Sequence, residues 1–146
     1  MAFDIALTTR DFSGNEDRTW LATRKGFDTC RSATLDVSAF AAAHLTAKGA
    51  IPSGTLLGKI TATGKLGPYT TADTTTGLGV CVGFLFNTTQ VGQSGSDTNL
   101  ATAADVGVPY LWEGVVVESK LPLFTGTTNG EIDADAKVDL KFVKFE

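Results

Sequence analysis

The segment that decides the fold spans residues 51–61 and reads IPSGTLLGKIT. Pro52 fixes its own φ and Gly54 tolerates a positive φ, so the first four residues predict a tight turn. Residues 55–61 are mostly apolar or β-branched, which predicts a strand directly after the turn. A turn that leads straight into a strand is typical of a β-rich domain.

More short strands are predicted on both sides of this turn, because apolar residues alternate with polar ones or run together between turn signals. Gly64 and Gly67-Pro68 end the first strand, and Pro109, which has no N–H, places a later strand at a sheet edge. The nearly continuous apolar run at residues 78–86 indicates a strand that is covered on both faces. The predicted strands lie at residues 34–37, 55–61, 78–86, 106–111, 114–119 and 140–145.

Helix is predicted at only two short places. Residues 38–45 predict a helix with Ser38 as its N-cap, and residues 133–139 predict a second helix with Asp133 as its cap. Asn129-Gly130 predicts a turn before the second helix. The sequence therefore predicts a mainly β fold (β-rich α+β) with one compact core over residues 34–146.

Residues 1–33 carry large apolar side chains without a sustained strand or helix period. Such a segment buries too little apolar area to fold alone, yet aromatic residues such as Trp20 and Phe27 are unusual in a disordered tail. We interpret the segment as an extended N-terminal arm that orders on a partner surface, with these two rings as anchors. The alternative is an arm that packs back on its own core.

The charge composition argues against two classes of partner. The chain of 146 residues has 12 Lys and Arg against 16 Asp and Glu, a net charge of −4, and no basic run. Binding to nucleic acid or to an anionic membrane takes a cluster of Lys and Arg, so we expect neither partner. Only 19% of the residues are charged, below the roughly 25% of ordinary soluble domains. A surface poor in charge fits burial against other proteins.

Cys30 and Cys81 lie far apart in the sequence, without a C-x-x-C spacing. We expect two free thiols, with a single disulfide as the alternative for a secreted chain. Asp4 stands where a signal peptide carries basic residues, and the apolar run at residues 5–7 is too short for one. The expected place of synthesis is therefore the host cytoplasm.

Catalytic chemistry has few candidate residues. His44 is the single histidine, stands in an Ala-rich stretch away from any nucleophile motif, and is interpreted as structural. One histidine and two distant cysteines do not supply a zinc site, which takes three or four such ligands. We therefore expect no enzyme activity, no metal and no cofactor.

Two further motifs have structural explanations. The glycines within residues 77–83 miss the G-x-G-x-x-G spacing, and we interpret them as glycines that pass close to other backbone. Glu131, Asp133 and Asp135 alternate along the chain but lack the glycine and the closing Glu of a calcium loop. Acidic residues at a helix N-terminus offset the helix dipole, which is a sufficient reason for them.

Two long stretches resemble the head decoration proteins of tailed bacteriophages that are related to the lambda decoration protein. They are residues 17–36 (DRTWLATRKGFDTCRSATLD) and residues 51–69 (IPSGTLLGKITATGKLGPY), and the turn and strand at 51–61 are the more specific part. Residues 115–122 (VVVESKLP) and the late acidic turn fit the same pattern. The resemblance covers most of the chain, while residues 87–105 depart from it by being longer and more polar.

This resemblance implies a compact small β-barrel or β-tulip-like core with short helices. It also implies a homotrimer in the virion, on the outside of the expanded capsid at threefold and quasi-threefold sites, with the major capsid protein as partner. There the N-terminal arm, residues 1–33, would staple neighbouring capsomers against the internal DNA pressure. The arm residues expected to contact the capsid are Trp20, Leu21, Arg24, Phe27 and Arg31.

Two other classes of protein remain open. A tail-tube or fibre module is also β-rich and free of catalytic residues, and a carbohydrate-binding β-sandwich would stack sugars on exposed rings such as Trp112 or Tyr110. Both rings stand in an apolar strand, so we expect them in the core or in a subunit interface. If capsid binding is the function, deleting residues 2–31 is expected to leave a folded core that no longer attaches to expanded heads.

Overall fold

Short strands dominate the computed structural model, which describes residues 16–46, 49–71, 73–91, 100–122 and 132–146. The predicted mainly β class is confirmed, because the described residues hold one α-helix, α1 (Ala134–Asp139), and five single-turn 3-10 helices. The strands are β1 (Arg31–Leu35), β2 (Ala50–Ile51), β3 (Leu56–Lys59), β4 (Leu66–Pro68), β5 (Cys81–Leu85), β6 (Thr89–Gln90), β7 (Val106–Leu111), β8 (Gly114–Val116) and β9 (Val143–Phe145). The 3-10 helices are Phe27–Thr29, Val37–Ala39, Ala42–His44, Leu100–Thr102 and Glu118–Lys120.

Five of the strands pair in a closed cycle, in the order β1-β4-β3-β5-β7 and back to β1, which we call the five-stranded ring. The pairing of β1 with β7 is antiparallel and runs from Arg31 opposite Tyr110 to Leu35 opposite Val106. The pairing of β1 with β4 is parallel and joins Leu35 to Leu66 alone. The ring is therefore held least firmly between β1 and β4. Two smaller sheets, β2 with β6 and the parallel pair β8 with β9, stand beside it.

Side chains from the ring fall into two clusters, one on each face of its strands. Because neighbouring residues of a strand point to opposite faces, Leu57 and Leu85 belong to one cluster while Leu56 and Phe84 belong to the other. The inner cluster takes a side chain from each strand of the ring and is completed by two residues outside it. Its buried members are Leu35, Phe40, Ile51, Leu57, Leu66, Leu85 and Val108.

The outer cluster fills the space between the ring and the C-terminal elements. Its buried members include Leu56 and Phe84 from the ring, Val116 from β8, and Leu140 and Val143 from the end of the chain. The parallel pairing of β9 with β8 continues past the end of β9, since the N–H of Glu146 donates to the carbonyl of Val116 at 2.8 Å. The two clusters make one continuous fold with the ring as the shared wall.

Trp20 seals the outer cluster from the N-terminal side. Its ring is 1% exposed and stacks on Phe84 with the centroids 5.6 Å apart, while its Nε1–H donates to Ser53 Oγ at 3.1 Å. Its carbonyl accepts from the N–H of Val117 at 2.7 Å, and Leu21 forms a bridge to Val116. Trp20 and Leu21 thus pack on the core, as in the alternative interpretation of the arm, while residues 1–15 of the predicted arm lie outside the described residues. A truncation that ends at residue 31 removes a core residue, so a folded product is no longer expected from it.

The tight turn predicted at residues 51–54 is present, with Gly54 at φ 91° and the N–H of Thr55 donating to the carbonyl of Pro52. The prediction that Gly67-Pro68 ends the strand is wrong, because both residues lie in β4, opposite Gly58 and Leu57. The reversal comes earlier, at residues 60–65, where the N–H of Gly64 donates to the carbonyl of Ile60.

The prediction that Pro109 lies at a sheet edge is wrong, because β7 pairs with β1 on one side and with β5 on the other. The carbonyl of Pro109 accepts from the N–H of Phe86 at 3.2 Å. The N–H and C=O of one strand residue point to the same side, so the missing N–H of Pro109 faces Phe86, just past the end of β5. The end of a ladder tolerates proline for the same reason that an edge does.

The helix predicted over residues 38–45 is replaced by two separate 3-10 turns, Val37–Ala39 and Ala42–His44. The N-cap of the first is Asp36 and not Ser38, because the Asp36 carboxylate accepts from the N–H of Ser38 at 3.1 Å.

The predicted turn at residues 129–130 lies outside the described residues. The glycines in residues 77–83 do approach other backbone closely: a Cβ on Gly83 would lie 2.3 Å from the carbonyl oxygen of Leu111.

The predicted cap of α1 is confirmed and does more than cap the helix. The Asp133 carboxylate accepts from the N–H of Ala136 at 2.8 Å, from the Tyr69 hydroxyl at 2.9 Å and from the Thr71 hydroxyl at 2.6 Å. Partial burial raises the pKa of Asp133, but the hydrogen bonds from Thr71, Ala136 and Tyr69 outweigh it, and the net pKa is lowered. One carboxylate therefore ties α1 to the chain that follows β4.

Within the described residues, the helices are all too short to cross a lipid bilayer.

We predict that Trp20→Ala lowers the free energy of unfolding by about 3–5 kcal/mol, the usual cost of emptying a large aromatic site in a core. Trp112→Ala is the matched control, because Trp112 is only half-buried, and we expect it to cost about 2 kcal/mol less than Trp20→Ala. Urea unfolding followed by far-UV circular dichroism measures both. Equal losses would show that Trp20 does not close the outer cluster.

We predict that Asp133→Ala lowers the free energy of unfolding at pH 7 by about 1–3 kcal/mol, through loss of the cap and of the bonds to Tyr69 and Thr71. Because the folded-state pKa is below its unfolded value, this stabilisation is present above about pH 4 and is lost as the pH falls through the folded pKa. The difference between wild type and variant should therefore narrow at acid pH. Urea unfolding at several pH values tests this, with Asp135→Ala, on the exposed side of α1, as a control within about 0.5 kcal/mol of wild type.

Candidate interaction surface

Residues 24–31 lie against the turn that joins β7 to β8, and two glycines allow this contact. Gly26 has φ 88°, and a Cβ placed on it would lie 2.0 Å from the carbonyl oxygen of Glu113. A Cβ on Gly114 would lie 2.8 Å from the carbonyl oxygen of Lys25. Neither distance leaves room for a side chain, so the two backbones meet only because both positions are glycine.

A cation and two aromatic rings are stacked where this segment crosses the turn. The Arg31 guanidinium lies 4.2 Å from the centroid of the Trp112 ring, and the Phe142 ring packs edge-on against Trp112 at 5.4 Å. Trp112 is fixed in place because its Nε1–H donates to the carbonyl of Thr29 at 2.7 Å. Phe142 is 67% exposed. Attraction between a guanidinium and an indole face contributes about 0.5–1 kcal/mol at an exposed site, so Arg31 is held in position.

Phe27 lies on the same segment and is 43% exposed. Its ring packs edge-on against Phe86 at 4.9 Å, and the Arg18 guanidinium lies 4.3 Å from the centroid of Phe86. An open depression of about 260 Å³ is lined by Arg24, Phe27 and Asp28. The segment thus offers both a partly exposed ring and a shallow recess to a partner.

The five residues predicted to contact the capsid occupy different environments. Arg24, Phe27 and Arg31 are exposed and lie on this one segment, whereas Leu21 is half-buried and Trp20 lies in the core. In this conformation Trp20 has no surface to offer a partner, and it acts as the anchor from which the segment is held. We name these three exposed residues, together with the neighbouring Trp112 and Phe142, the arginine–aromatic surface. It consists of Arg24, Phe27, Arg31, Trp112 and Phe142.

Sequence reasoning missed two members of this surface. Trp112 stands in an apolar strand context and was expected in a core or interface, yet it is half-buried with its polar tip already bonded. Phe142 lies in a run predicted as strand, but it precedes β9 and points to solvent. In the sequence, Gly26 and Gly114 indicate positions of close backbone contact. The sequence does not show which segment each glycine contacts.

Both cysteines are free thiols in the structure. Burial raises the pKa of the Cys81 thiol to about 12. Burial also raises the pKa of the Cys30 thiol, an effect that Arg18 opposes and Asp28 reinforces. A nucleophilic cysteine needs a lowered pKa, so neither thiol is activated.

His44 takes a structural place. It is 1% exposed, its Nδ1 accepts from the N–H of Ala41 at 3.0 Å, and its ring packs edge-on against Phe40 at 5.7 Å. Among the residues that the structure describes, His, Cys, Asp and Glu side chains form no group of three or more that could hold a metal ion. The arginine–aromatic surface is therefore the strongest candidate site in the described part of the chain, and its chemistry is that of binding.

Comparison with protein-family models, with curated proteins and with solved structures returns no match.

We predict that Gly26→Ala is costly because it combines a strained φ with a clash against the Glu113 carbonyl. The expected loss is more than about 2 kcal/mol of unfolding free energy, with faster amide exchange across residues 24–30. Gly64→Ala is the matched control, since Gly64 also has a positive φ but the nearest atom lies 4.0 Å from the added Cβ. It should cost only the backbone strain, about 1 kcal/mol. Equal costs would mean that the segment does not rest on the β7–β8 turn as described.

Proposed function

We propose that this chain is a head decoration protein of a tailed bacteriophage. In this proposal it binds the outer surface of the expanded capsid as a homotrimer at threefold and quasi-threefold sites. Its partner is the major capsid protein, and its effect is to stabilise the shell against the pressure of the packaged DNA. A ligand that binds the expanded shell and no other state stabilises that state by mass action.

The mainly β fold is compatible with this proposal. We propose that the five-stranded ring corresponds to the small β-barrel or β-tulip-like core that the resemblance implies. The turn and strand that carry the more specific part of the resemblance, residues 51–61, form the entry to β3, which pairs with both β4 and β5. The residues that carry the more specific part of the resemblance thus belong to the ring.

The observation that carries the proposal is the arginine–aromatic surface. An exposed Phe27 and an Arg31 stacked on Trp112 are of the residue types that dominate binding energy in protein interfaces. The segment that bears them is anchored by Trp20, so contact residues are pre-positioned and little ordering entropy is lost on binding. We propose that Arg24, Phe27 and Arg31 contact the capsid. In this proposal Trp20 and Leu21 do not contact it but hold the segment on the core.

Several copies of the surface that bind at the same time would give a high overall affinity even if each copy binds weakly. Three copies of the same surface in one trimer bind together, so that a change in one residue is repeated three times. A loss of about 1–2 kcal/mol per copy is therefore expected to become a large loss of attachment.

The proposal is tested with expanded, undecorated heads of the phage that encodes the chain. Purified protein should add to them in saturable amounts, in threes per site, and raise their temperature of disruption. The variant Phe27→Ser should weaken attachment at least about tenfold. Val138→Ser is the matched control, because Val138 is also an exposed apolar residue, 71% exposed, but lies on α1 away from this segment. The two variants should unfold at similar denaturant concentrations.

Deletion of residues 2–15 tests the rest of the arm without removing Trp20 from the core. The truncated chain should fold and should attach to heads much more weakly than the full chain. Full-chain protein that fails to bind expanded heads would contradict the proposal. Self-assembly of the pure chain into rings or tubes would favour a tail-tube subunit. Binding to glycans that is lost with Trp112→Ala would favour a carbohydrate-binding module.

A further inference from the structure

The face that bears the arginine–aromatic surface is more basic than the chain as a whole. Residues 24–31, 112–114 and 141–142 hold six charged side chains, and four of them are basic. In the whole chain, acidic residues outnumber basic ones by 16 to 12. The four basic residues, all of them exposed, are Arg24, Lys25, Arg31 and Lys141. The charge of this face is therefore complementary to an acidic partner.

The two acidic side chains of this face are Asp28 and Glu113. The Glu113 carboxylate accepts a hydrogen bond from the Thr29 hydroxyl, so it is tied to the segment that bears the surface. Asp28 lines the shallow depression together with Arg24 and Phe27. Arg24 thus shares its depression with a carboxylate, whereas Arg31 lies over the uncharged ring of Trp112.

The contact with Trp112 fixes the position of the Arg31 guanidinium. The guanidinium carbon is 4.2 Å from the ring centroid, and the indole is itself held by its bond to the Thr29 carbonyl. An aromatic face attracts the positive charge, but it offers none of the oxygen lone pairs that the five N–H donors of a guanidinium bind best. Because Arg31 is exposed, oxygen atoms of a partner can reach these donors.

The Phe142 ring determines what lies beside those oxygen atoms. Phe142 packs edge-on against the same indole at 5.4 Å and is 67% exposed. Since Arg31 and Phe142 contact one ring, the partner groups that bind them lie side by side. An apolar side chain over Phe142 gains free energy from burial, and it keeps water away from the charge next to it, which strengthens an ion pair there.

Carboxylates and phosphates are the two anionic groups that bind an arginine with two oxygen atoms. The phosphates of a nucleic acid are bound by proteins with a strong basic excess, and this chain has a net charge of −4. A protein carboxylate with an apolar neighbour matches both Arg31 and Phe142.

We propose that the segment of the major capsid protein that contacts this surface carries an Asp or Glu side chain, which pairs with Arg31, and an apolar side chain beside it, which covers Phe142. This inference rests on the proposed function, because it names the chemistry of the partner at the same surface. An ion pair in an interface is weakened when salt screens its charges. Attachment to heads is therefore salt-dependent, and a large part of that dependence comes from Arg31.

The first test measures the affinity of the full chain for expanded heads from about 0.1 M to about 1 M sodium chloride, where the screening length shortens from about 10 Å to about 3 Å. Wild-type affinity should fall across this range. At the lowest salt, Arg31→Gln should weaken attachment at least about tenfold and Arg31→Glu at least about a hundredfold, and Arg31→Gln should flatten the salt dependence.

Lys120→Glu is the matched control for Arg31→Glu. It makes the same change in net charge at an exposed residue of the 3-10 turn Glu118–Lys120, outside the surface. It should bind heads within about twofold of wild type, as expected for a charge that is not part of an ion pair with the partner. Urea unfolding of each variant confirms that the fold is intact.

The second test identifies the carboxylate directly. A water-soluble carbodiimide joins an amine to a carboxylate in contact with it, as an amide. In heads decorated with Arg31→Lys, mass spectrometry should find position 31 joined to an Asp or Glu of the major capsid protein. Wild type is the control, because its guanidinium does not form this link.

The outcomes separate this inference from the proposed function. Wild-type protein that fails to bind heads at any salt concentration overturns both. If wild type binds, an Arg31→Glu variant with wild-type affinity overturns the inference and leaves the capsid role standing, and so does the absence of a cross-link from position 31. A duplex oligonucleotide that binds wild type and not Arg31→Glu assigns the surface to nucleic acid, which also overturns the inference.

Discussion

The burial of one indole ring is the constraint on which the rest of this structure depends. Trp20 stacks on Phe84 of the ring, and its Nε1–H donates to Ser53, whose hydroxyl donates in turn to the carbonyl of Phe86 at 2.8 Å. The same residue bonds through its backbone to Val117, just after β8. A single side chain thus joins the N-terminal segment, the tight turn before β3 and the C-terminal elements. An aromatic ring with a satisfied N–H is suited to this, because it buries a large area at no cost in unpaired polar groups.

The position of the arginine–aromatic surface follows from that anchor. Once Trp20 is fixed, the chain passes over the β7–β8 turn, where two opposed glycines set the distance between backbones. Phe27 and Arg31 are then directed outward, and Trp112 is held by the Thr29 carbonyl beneath Arg31. These contacts position the side chains of the surface without a partner. That positioning links the packing of the core to the proposed attachment to a capsid.

The two neighbours of β1 in the ring differ in length. One side of β1 is therefore paired along the whole strand with β7, and the other is paired with β4 at a single residue. β1 is a full partner for β7, but β4 is too short to cover it, so the closure of the ring depends on one residue pair, Leu35 with Leu66. Elsewhere such a gap is a liability, because an exposed edge pairs with other chains. Here the gap is lined in part by the apolar side chains of Ala33, Val82 and Tyr110.

The sequence by itself determined the local features, because turns and caps depend on a few adjacent residues. The turn at Pro52 and Gly54, the cap at Asp133 and the mainly β class were predictable, whereas the cap at Ser38 and the strand end at Gly67-Pro68 were predicted wrongly. The tertiary structure alone decided that Trp20 belongs to the core, that Pro109 sits between two strands, and that residues 38–45 break into two 3-10 turns. Periodicity reports which side chains are apolar, but it does not report which surface buries them. That choice depends on contacts between residues far apart in the chain, and these exist only once the ring has formed.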